Sequence, residues 1–196
     1  MNTGAKILLG GVVATGLYFA WRQPAQAIPD NITNNNAQAF LDTLRYAEGT
    51  AGANGYRTMF TGKLFNSYAW HPNVSNCITY NGNELCSTAA GAYQFLFSTW
   101  VYLAARLGLE DFTPANQDLA ALELIREKGA LADVLAGRFD TAIYKLNKTW
   151  ASLPGSPYGQ PTHTLAELRD VFMYYDGEIT QQAIYLNPVR ELARAA

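Results

Sequence analysis

The stretch Ala37–Thr50, with the sequence AQAFLDTLRYAEGT, decides the fold that we expect for this chain. Its apolar residues recur at the spacing of one face of an α-helix; they are Ala37, Phe40, Leu41, Leu44 and Ala47. Asn35 or Asn36 is predicted to cap the first turn, and Gly49 is predicted to end the helix in the left-handed conformation. The stretch therefore predicts an amphipathic helix at the start of a folded domain.

Glu48 lies on the apolar face of this predicted helix, one turn after Leu44 and two turns after Leu41. It also falls in the last turn, where the helix dipole presents its negative end. Burial and the dipole both disfavour a carboxylate and raise its pKa. A carboxyl group that stays protonated near neutral pH can act as a general acid. The alternative is a Glu whose stem packs while its carboxylate pairs with an Arg or a backbone donor.

The composition indicates one globular domain with appended segments, and it argues against several kinds of partner. The chain has 196 residues, of which 49% are hydrophobic and 13% aromatic, so it is long and apolar enough to form a core. The net charge is −2 and no stretch concentrates Lys and Arg, which argues against binding to nucleic acid. Phosphate-binding loops and dinucleotide fingerprints are absent, and His71 and His163 lie outside any cluster with metal-ligand spacing. We therefore expect no cofactor and no metal.

Residues 1–27 are predicted to be a signal or anchor segment. Lys6 precedes an uncharged run at residues 7–21, which is short for a spanning helix of about 20 residues and is diluted by glycine. Three interpretations stay open: a signal peptide cleaved after Ala27, an uncleaved anchor, and a segment that enters the membrane and later leaves it. Each predicts membrane contact through residues 7–21 and a protein that is exported to the periplasm, anchored facing it, or carried on a virion.

The two cysteines flank the strongest hairpin signal in the chain. Asn81-Gly82 is typical of a two-residue turn, and a turn there places Cys77 opposite Cys86. Counting outward from the turn, the cysteines form a non-hydrogen-bonded pair, whose close Cα atoms suit a disulfide. Two free thiols in a reducing cytosol are the alternative. The turn register and the predicted export both favour a disulfide.

The folded domain is predicted to be α+β and predominantly helical, over residues 37–177. A linker at residues 28–36 precedes it and a tail at 178–196 follows it. Glycines break up residues 50–68, which suggests a small irregular β region. The chain beyond Ser87 is predicted to be helical, with helices over residues 93–107, 113–128, 131–136, 140–148 and 164–176.

Acidic residues are sparse after Glu48, because the next one is Glu84. Ordinary glycosidases place two carboxylates across the scissile bond, so the second would have to come from a distant residue such as Glu84, Asp111 or Asp118. A reaction with a single carboxylate is the other possibility, if the substrate provides its own nucleophile. Nucleophilic serine chemistry has little support, since no Ser lies in a Gly-x-Ser-x-Gly turn. A cysteine nucleophile conflicts with the predicted disulfide.

From about Ala37 to Tyr174 the chain resembles the lambda-phage endolysin family, the lysozyme-like lytic transglycosylases. The resemblance depends on short pieces that occur in the same order and with the same spacing. The pieces are Ala39–Asp42 with Glu48–Thr50, Gly55-Tyr56, Gly62-x-Leu64-Phe65, His71-Pro72, Ser87-Thr88, Gly91-x-Tyr93-Gln94, Leu107–Leu109, Asp111-Phe112, Gln117-Asp118, Gly129–Leu131, Trp150–Gly155 and Tyr158–Gln160.

This resemblance implies a lysozyme-like fold, in which a cleft between a helical lobe and a small β lobe holds the glycan strands of peptidoglycan. Glu48 corresponds to the catalytic acid/base of the family. Tyr93 and Gln94 match the motif that lines the cleft, and Tyr158 and Gln160 match the loop on its far wall, so all four are predicted to bind substrate. For Tyr93 the alternative is a place in the core, because it begins an apolar stripe.

The implied function is that of a lytic transglycosylase. Such an enzyme cleaves the β-1,4 bond between N-acetylmuramic acid and N-acetylglucosamine and forms a 1,6-anhydro sugar, here for a phage during host lysis or at the start of infection. The alternatives are a hydrolytic lysozyme with a distant second carboxylate and a non-catalytic wall-binding or virion module. The chain departs from the family in its N-terminal apolar segment, its 178–196 tail and its Cys77–Cys86 hairpin.

Overall fold

The structure is a computed structural model that describes residues 34–80 and 82–180. The predicted signal or anchor segment at residues 1–27 lies outside these ranges, as do most of the linker and most of the tail. No helix within the two ranges is long and apolar enough to cross a bilayer. Membrane contact through residues 7–21 and the boundaries of the predicted segments therefore stay predictions.

The described part of the chain contains α-helices, two short 3-10 helices and a two-stranded antiparallel sheet. The α-helices are α1 (Asn35–Ala47), α2 (Phe97–Leu107), α3 (Pro114–Glu127), α4 (Leu131–Leu135), α5 (Phe139–Leu146) and α6 (Leu165–Tyr174). The strands are β1 (Asn76–Tyr80) and β2 (Asn83–Ser87), and the 3-10 helices are Gly55–Arg57 and Phe60–Gly62. This is the predicted α+β fold in which helix dominates.

Helix α1 lies in the centre of the helical lobe, as its apolar stripe predicts. Phe40 packs edge-on against Phe139 of α5, with ring centroids 5.7 Å apart, and against Phe172 of α6, at 6.4 Å. All three rings are almost fully buried. Edge-to-face aromatic pairs add to the free energy gained from burial, so this cluster fixes α1 between α5 and α6.

The two ends of α1 test the predicted caps. The N-terminal cap is Asn34, one residue before the predicted pair, and its side chain accepts a hydrogen bond of 2.9 Å from the backbone N–H of Asn36. Asn35 and Asn36 already lie inside the helix. At the other end, Gly49 has a φ of 70°, which confirms the predicted left-handed stop.

A second aromatic cluster attaches the loop that follows α1 to α2 and to the loop between α2 and α3. Trp100 of α2 packs edge-on against Phe112, with ring centroids 4.5 Å apart, and Phe112 also contacts Phe65 at 5.7 Å. His71 packs on Phe112 at 4.9 Å, and its Nε2 donates to the carbonyl oxygen of Phe95 at 2.9 Å. Burial lowers the pKa of His71, which is therefore a neutral packing residue.

The side-chain amide of Gln117 joins three segments of the chain. It is fully buried; its Nε2 donates to the carbonyl oxygens of Tyr56, at 3.0 Å, and Phe112, at 2.8 Å. Its Oε1 accepts from the backbone N–H of Ala92 at 2.8 Å. Gly91 leaves the room for this contact, since a Cβ there would lie 2.3 Å from the same oxygen.

The structure corrects two secondary-structure predictions. The irregular β region predicted in residues 50–68 is limited to isolated bridges, of Thr58 with Leu64 and of Met59 with Ala90, and two 3-10 helices lie in the same segment. The helix predicted to begin at Tyr93 begins at Phe97. Gly91 and Gln94 have positive φ values, which are incompatible with a right-handed α-helix. Ala90 and Phe95, on either side of this turn, instead pair with each other in an isolated β-bridge.

The hairpin has the predicted register. Tyr80 pairs with Asn83, Ile78 with Leu85, and Cys77 with Cys86. The two cysteines form a disulfide, with their Cα atoms 4.0 Å apart. The prediction of a Cys77–Cys86 disulfide in a non-hydrogen-bonded pair is therefore confirmed.

Substitution of Gly55 tests how closely the loop after α1 packs on itself. A Cβ at Gly55 would lie 1.7 Å from the backbone oxygen of Thr50, so the backbone must move, and we expect Gly55→Ala to lower the free energy of unfolding by about 3 kcal/mol. Gly52→Ala is the matched control, because a Cβ there meets nothing within 4 Å. Urea unfolding of both variants measures the difference, and equal stabilities would contradict this packing.

Candidate active site

Glu48 caps the C-terminus of α1, and its backbone N–H donates to the carbonyl oxygen of Leu44 at 2.9 Å. The residue is partly buried, and the hydroxyl of Ser152 donates to its Oε1 at 2.5 Å. Burial raises the pKa of the Glu48 carboxyl to about 7, although the hydrogen bond from Ser152 and the charge of His163 both lower it. Glu48 can therefore hold or release a proton near neutral pH, as the sequence predicts.

A pocket of about 420 Å³ opens beside this carboxyl group. Its walls come from the end of α1, the segment 58–62, the hairpin and the loop 151–161, together with Gln94. Ile78 and Leu85, a directly opposed pair on the two strands, form the hairpin's part of the wall, which we call the hairpin wall. The pocket thus joins the helical lobe to the hairpin.

Glu48 is the one acidic residue among those that line this pocket, within the described ranges. Asp118 lies elsewhere, where its Oδ1 accepts hydrogen bonds from the hydroxyls of Tyr56, at 2.9 Å, and Tyr93, at 2.6 Å. Glu84 is exposed on the hairpin and does not line the pocket.

The third distant carboxylate, Asp111, has a local structural role. It accepts from the backbone N–H of Thr113 at 3.0 Å and from the side chain of Asn116 at 2.7 Å, at the start of α3. Each of the three carboxylates named as a possible second acid is therefore absent from the walls of the pocket around Glu48.

The structure brings two of the four predicted sugar-binding residues to this pocket. Gln94 and Gln160 line it. Tyr93 is 1% exposed and lies in the core, so it occupies the alternative place that its apolar stripe indicates. Tyr158 is exposed, its hydroxyl donates to the carbonyl oxygen of Lys148 at 2.8 Å, and it is not among the residues that line the pocket.

Sequence reasoning missed the residues that hold Ser152 and surround it. The backbone N–H of His163 donates to the Ser152 carbonyl oxygen at 3.1 Å, and the His163 Nδ1 lies 2.9 Å from Glu167 Oε1. The hydroxyl of Tyr46, on α1, donates to the same oxygen at 2.9 Å. These bonds connect α1, α6 and the loop that carries Ser152. The available signal was the Trp150–Gly155 piece of the family resemblance, which contains Ser152 but does not show what it contacts.

Two residues of the pocket have unusual backbone conformations. Thr61 has a φ of 81° and Gln94 a φ of 48°, values that are uncommon for residues with a side chain. The Gln94 side-chain amide donates to the carbonyl oxygens of Thr58, at 3.1 Å, and Gly91, at 2.8 Å, which holds this conformation. Strained residues of this kind concentrate at functional sites, because the surrounding structure must compensate for them.

Within the described ranges, one group of side chains has the spacing of a metal site, namely Cys77, Glu84 and Cys86. Both sulfur atoms are bonded to each other in the disulfide. The group therefore lacks the thiolates that would make it a site for a soft metal ion.

Comparison with known proteins agrees with this geometry. Residues 38–179 match the sequence model of the family described as Endolysin. The chain belongs to the endolysin family. The endolysin of Escherichia phage P2 is 41% identical over 152 aligned positions, with 71% of this chain and 92% of that protein covered. The endolysin of Escherichia phage lambda is 39% identical over 154 residues, with 76% of this chain and 96% of that protein covered.

Solved structures show that this endolysin has the fold of a lysozyme. A structure of bacteriophage lambda lysozyme complexed with a chitohexasaccharide superposes with a TM-score of 0.69 at 38% identity, and covers 75% of this chain and 97% of that chain. A second lambda lysozyme structure gives a TM-score of 0.66 at 38% identity, with the same coverage. The predicted lysozyme-like fold is confirmed.

The pKa of Glu48 predicts how the stability of the endolysin depends on pH. Because the folded-state pKa is raised from 4.5 to about 7, the folded state holds this proton more tightly than the unfolded state. The stabilisation is fully present below pH 4.5 and is lost as the pH rises through 7. Glu48→Gln stays neutral, so we expect it to gain about 2 to 3 kcal/mol of unfolding free energy over wild type between pH 4 and pH 8.

Urea unfolding of the two proteins at both pH values measures this gain. Glu110→Gln, at an exposed position, makes the same change in net charge and serves as the control. A constant difference between wild type and Glu48→Gln across this range would show that Glu48 ionises freely in the folded protein.

Proposed function

We propose that this endolysin is a lytic transglycosylase of peptidoglycan that serves host lysis. It cleaves the β-1,4 bond between N-acetylmuramic acid and N-acetylglucosamine and leaves a 1,6-anhydro end. Membership of the endolysin family and the lysozyme-like fold support the broader statement that it is a peptidoglycan-cleaving glycosidase. The chitohexasaccharide in the related lambda lysozyme supports a glycan as the ligand of the cleft.

One observation carries the finer proposal. Glu48 is the single carboxyl group on the walls of the pocket in the described part of the chain, and its pKa of about 7 suits a group that both gives and takes a proton. Hydrolytic glycosidases use a second carboxylate, which activates water or attacks the sugar. A substrate that supplies its own nucleophile removes the need for that second group.

The first step is protonation of the leaving group. Protonated Glu48 donates its proton to the glycosidic oxygen, and the bond between that oxygen and C1 of the muramic acid breaks. The hydroxyl of Ser152 donates to Oε1 of Glu48, which orients the carboxyl group and leaves its other oxygen to face the substrate. The apolar hairpin wall of Ile78 and Leu85 limits water beside the reacting bond.

The second step closes the sugar on itself. The 6-hydroxyl of the same muramic acid attacks C1, and Glu48, now a carboxylate, accepts its proton. One C–O bond breaks, one forms, and Glu48 ends the cycle protonated without consuming water. Attack from within the same sugar replaces a bound water or an enzyme nucleophile, because proximity supplies much of the rate advantage.

The product distinguishes this mechanism from hydrolysis. We expect digested glycan strands to end in anhydro-muramic acid, one water lighter than a reducing end, by mass spectrometry. Glu48→Gln removes the acid and should lower the rate by about 10²- to 10⁴-fold. Reducing ends from the wild type, or near-normal activity of Glu48→Gln, would contradict the proposal and favour a hydrolytic lysozyme.

Two further variants serve as controls for a distant second carboxylate. Glu84→Gln and Asp118→Asn each remove one acidic group outside the pocket. Both are expected to release the same anhydro product, at rates within about tenfold of wild type, since neither group takes part in a general acid–base step. Loss of activity in a folded Glu84→Gln protein would assign the second carboxylate role to Glu84.

We also propose that the active protein works outside the cytoplasm, exported to the periplasm or anchored facing it. The Cys77–Cys86 disulfide supports this location, because disulfides persist in oxidising compartments. The uncharged run at residues 7–21 supplies a route for export.

Cell fractionation tests the proposed location. We expect the protein in the periplasm or membrane fraction with neither cysteine open to alkylation, and N-terminal sequencing of that fraction shows whether residues 1–27 are retained. Full-length protein in the soluble cytoplasm with both thiols alkylated would contradict the proposal.

A further inference from the structure

The hairpin of β1 and β2 contributes to the pocket, and β1 packs against the 3-10 helix Phe60–Gly62. Its two strands form a sheet by themselves, and nearly every described side chain on them is exposed. Asn76, at its base, is the buried exception, and its side chain lies 3.8 Å from the sulfur of Met59. An isolated two-stranded hairpin is marginally stable in water, so a covalent link between the strands adds to the pairing that these contacts at β1 support.

The two faces of the hairpin have different roles. Ile78 and Leu85 point to the face that lines the pocket beside Glu48. Cys77 and Cys86 are their direct neighbours along each strand, so they point to the opposite face. Both cysteines are exposed there, where thiol reagents reach them, and neither is among the lining residues.

We propose that the Cys77–Cys86 disulfide is a positioning element for catalysis, which holds the hairpin wall of Ile78 and Leu85 in the substrate cleft. The glycan then binds fully only to the oxidised protein. The disulfide touches no substrate and acts through the pairing of the strands. This inference rests on the proposed function, since it takes a glycan strand as the ligand of the pocket.

The Cys77–Cys86 disulfide opens and closes by ordinary thiol–disulfide exchange. A dithiol reductant gives two electrons and two protons to the disulfide and becomes a cyclic disulfide itself, which leaves thiols on Cys77 and Cys86. The reverse reaction needs an oxidant of the same class, a disulfide compound or a disulfide-bonded oxidoreductase. The disulfide closes the loop between Cys77 and Cys86, which are nine residues apart. A loop of this length shifts the pairing equilibrium towards the paired hairpin by about 100-fold, compared with the same chain with free thiols.

Binding of chitohexasaccharide to the oxidised and dithiothreitol-reduced full chain tests the proposal by calorimetry. If the paired hairpin falls to about a tenth of the population on reduction, the apparent dissociation constant rises about tenfold. Hydrogen exchange, measured in parallel, should show faster exchange at the backbone amides of residues 76–87 and unchanged exchange in α1 and α3. Unchanged affinity or unchanged exchange in the hairpin overturns the proposal.

Variants separate the disulfide from the wall that it holds. The double variant Cys77→Ser, Cys86→Ser should bind as weakly as the reduced wild type and should not respond to dithiothreitol. Ile78→Ala should weaken binding by about tenfold in the oxidised protein, because it removes apolar contact area. Thr79→Ala, one residue along on the opposite face, is the matched control and should bind like wild type. Equal affinities for these two single variants would overturn the role of the wall.

Cleavage assays keep this proposal distinct from the proposed function. An oxidised protein that binds chitohexasaccharide in a redox-dependent way but forms no anhydro ends supports the hairpin inference and contradicts the transglycosylase. An active protein whose glycan affinity and hairpin hydrogen exchange do not depend on the redox state supports the transglycosylase and overturns the hairpin inference. An oxidised protein that does not bind chitohexasaccharide also overturns it.

Discussion

The buried amide of Gln117 is the contact on which the geometry of the cleft depends. Its two donors and its acceptor are all used, on Tyr56, Phe112 and Ala92, so the loop after α1 and the loop before α2 are both bonded to α3. A buried amide left with an unpaired donor costs about 1–3 kcal/mol, so the three bonds support one another. The segment 58–62 and Gln94, which both line the pocket, lie next to the segments that this one side chain holds.

The electrostatics of the acidic residues separate Glu48 from the carboxylates that are paired with cations. Glu123 is fully buried, yet its pKa is lowered, because Arg126 and Arg106 bind it. Asp133 is paired in the same way, with Arg138 and Lys145. Glu48 has a neutral hydroxyl, that of Ser152, in place of a cation, so burial decides its pKa. Glu123 and Asp133 are thus paired directly with cations, whereas Glu48 in the cleft and Asp118 outside it accept hydrogen bonds from hydroxyl groups, and burial raises the pKa of both.

Local patterns made a large part of this structure predictable, and contacts across the chain made the rest unpredictable. The apolar stripe of α1 and the register of the Cys77–Cys86 hairpin depend on near neighbours in sequence, and both predictions hold. The apolar stripe from Tyr93 fails as a helix because the positive φ of Gln94 depends on a loop held by distant groups. Ser152 lies 104 residues from Glu48 in the sequence, and no periodicity or spacing predicts the hydrogen bond between them.

The proposed chemistry and the hairpin wall depend on each other. A hydrolytic site needs a charged group on the far side of the scissile bond, and that charge draws in water. With the nucleophile on the substrate, the β lobe is free to present Ile78 and Leu85 instead. Under the proposed mechanism, a sugar that fills the cleft against these side chains would displace water from the carboxyl of Glu48 and strengthen the burial that raises its pKa. Binding of the substrate would then favour the protonated form with which the proposed reaction begins. A wall held only loosely in place would weaken the binding of the glycan and the protonation of Glu48 together.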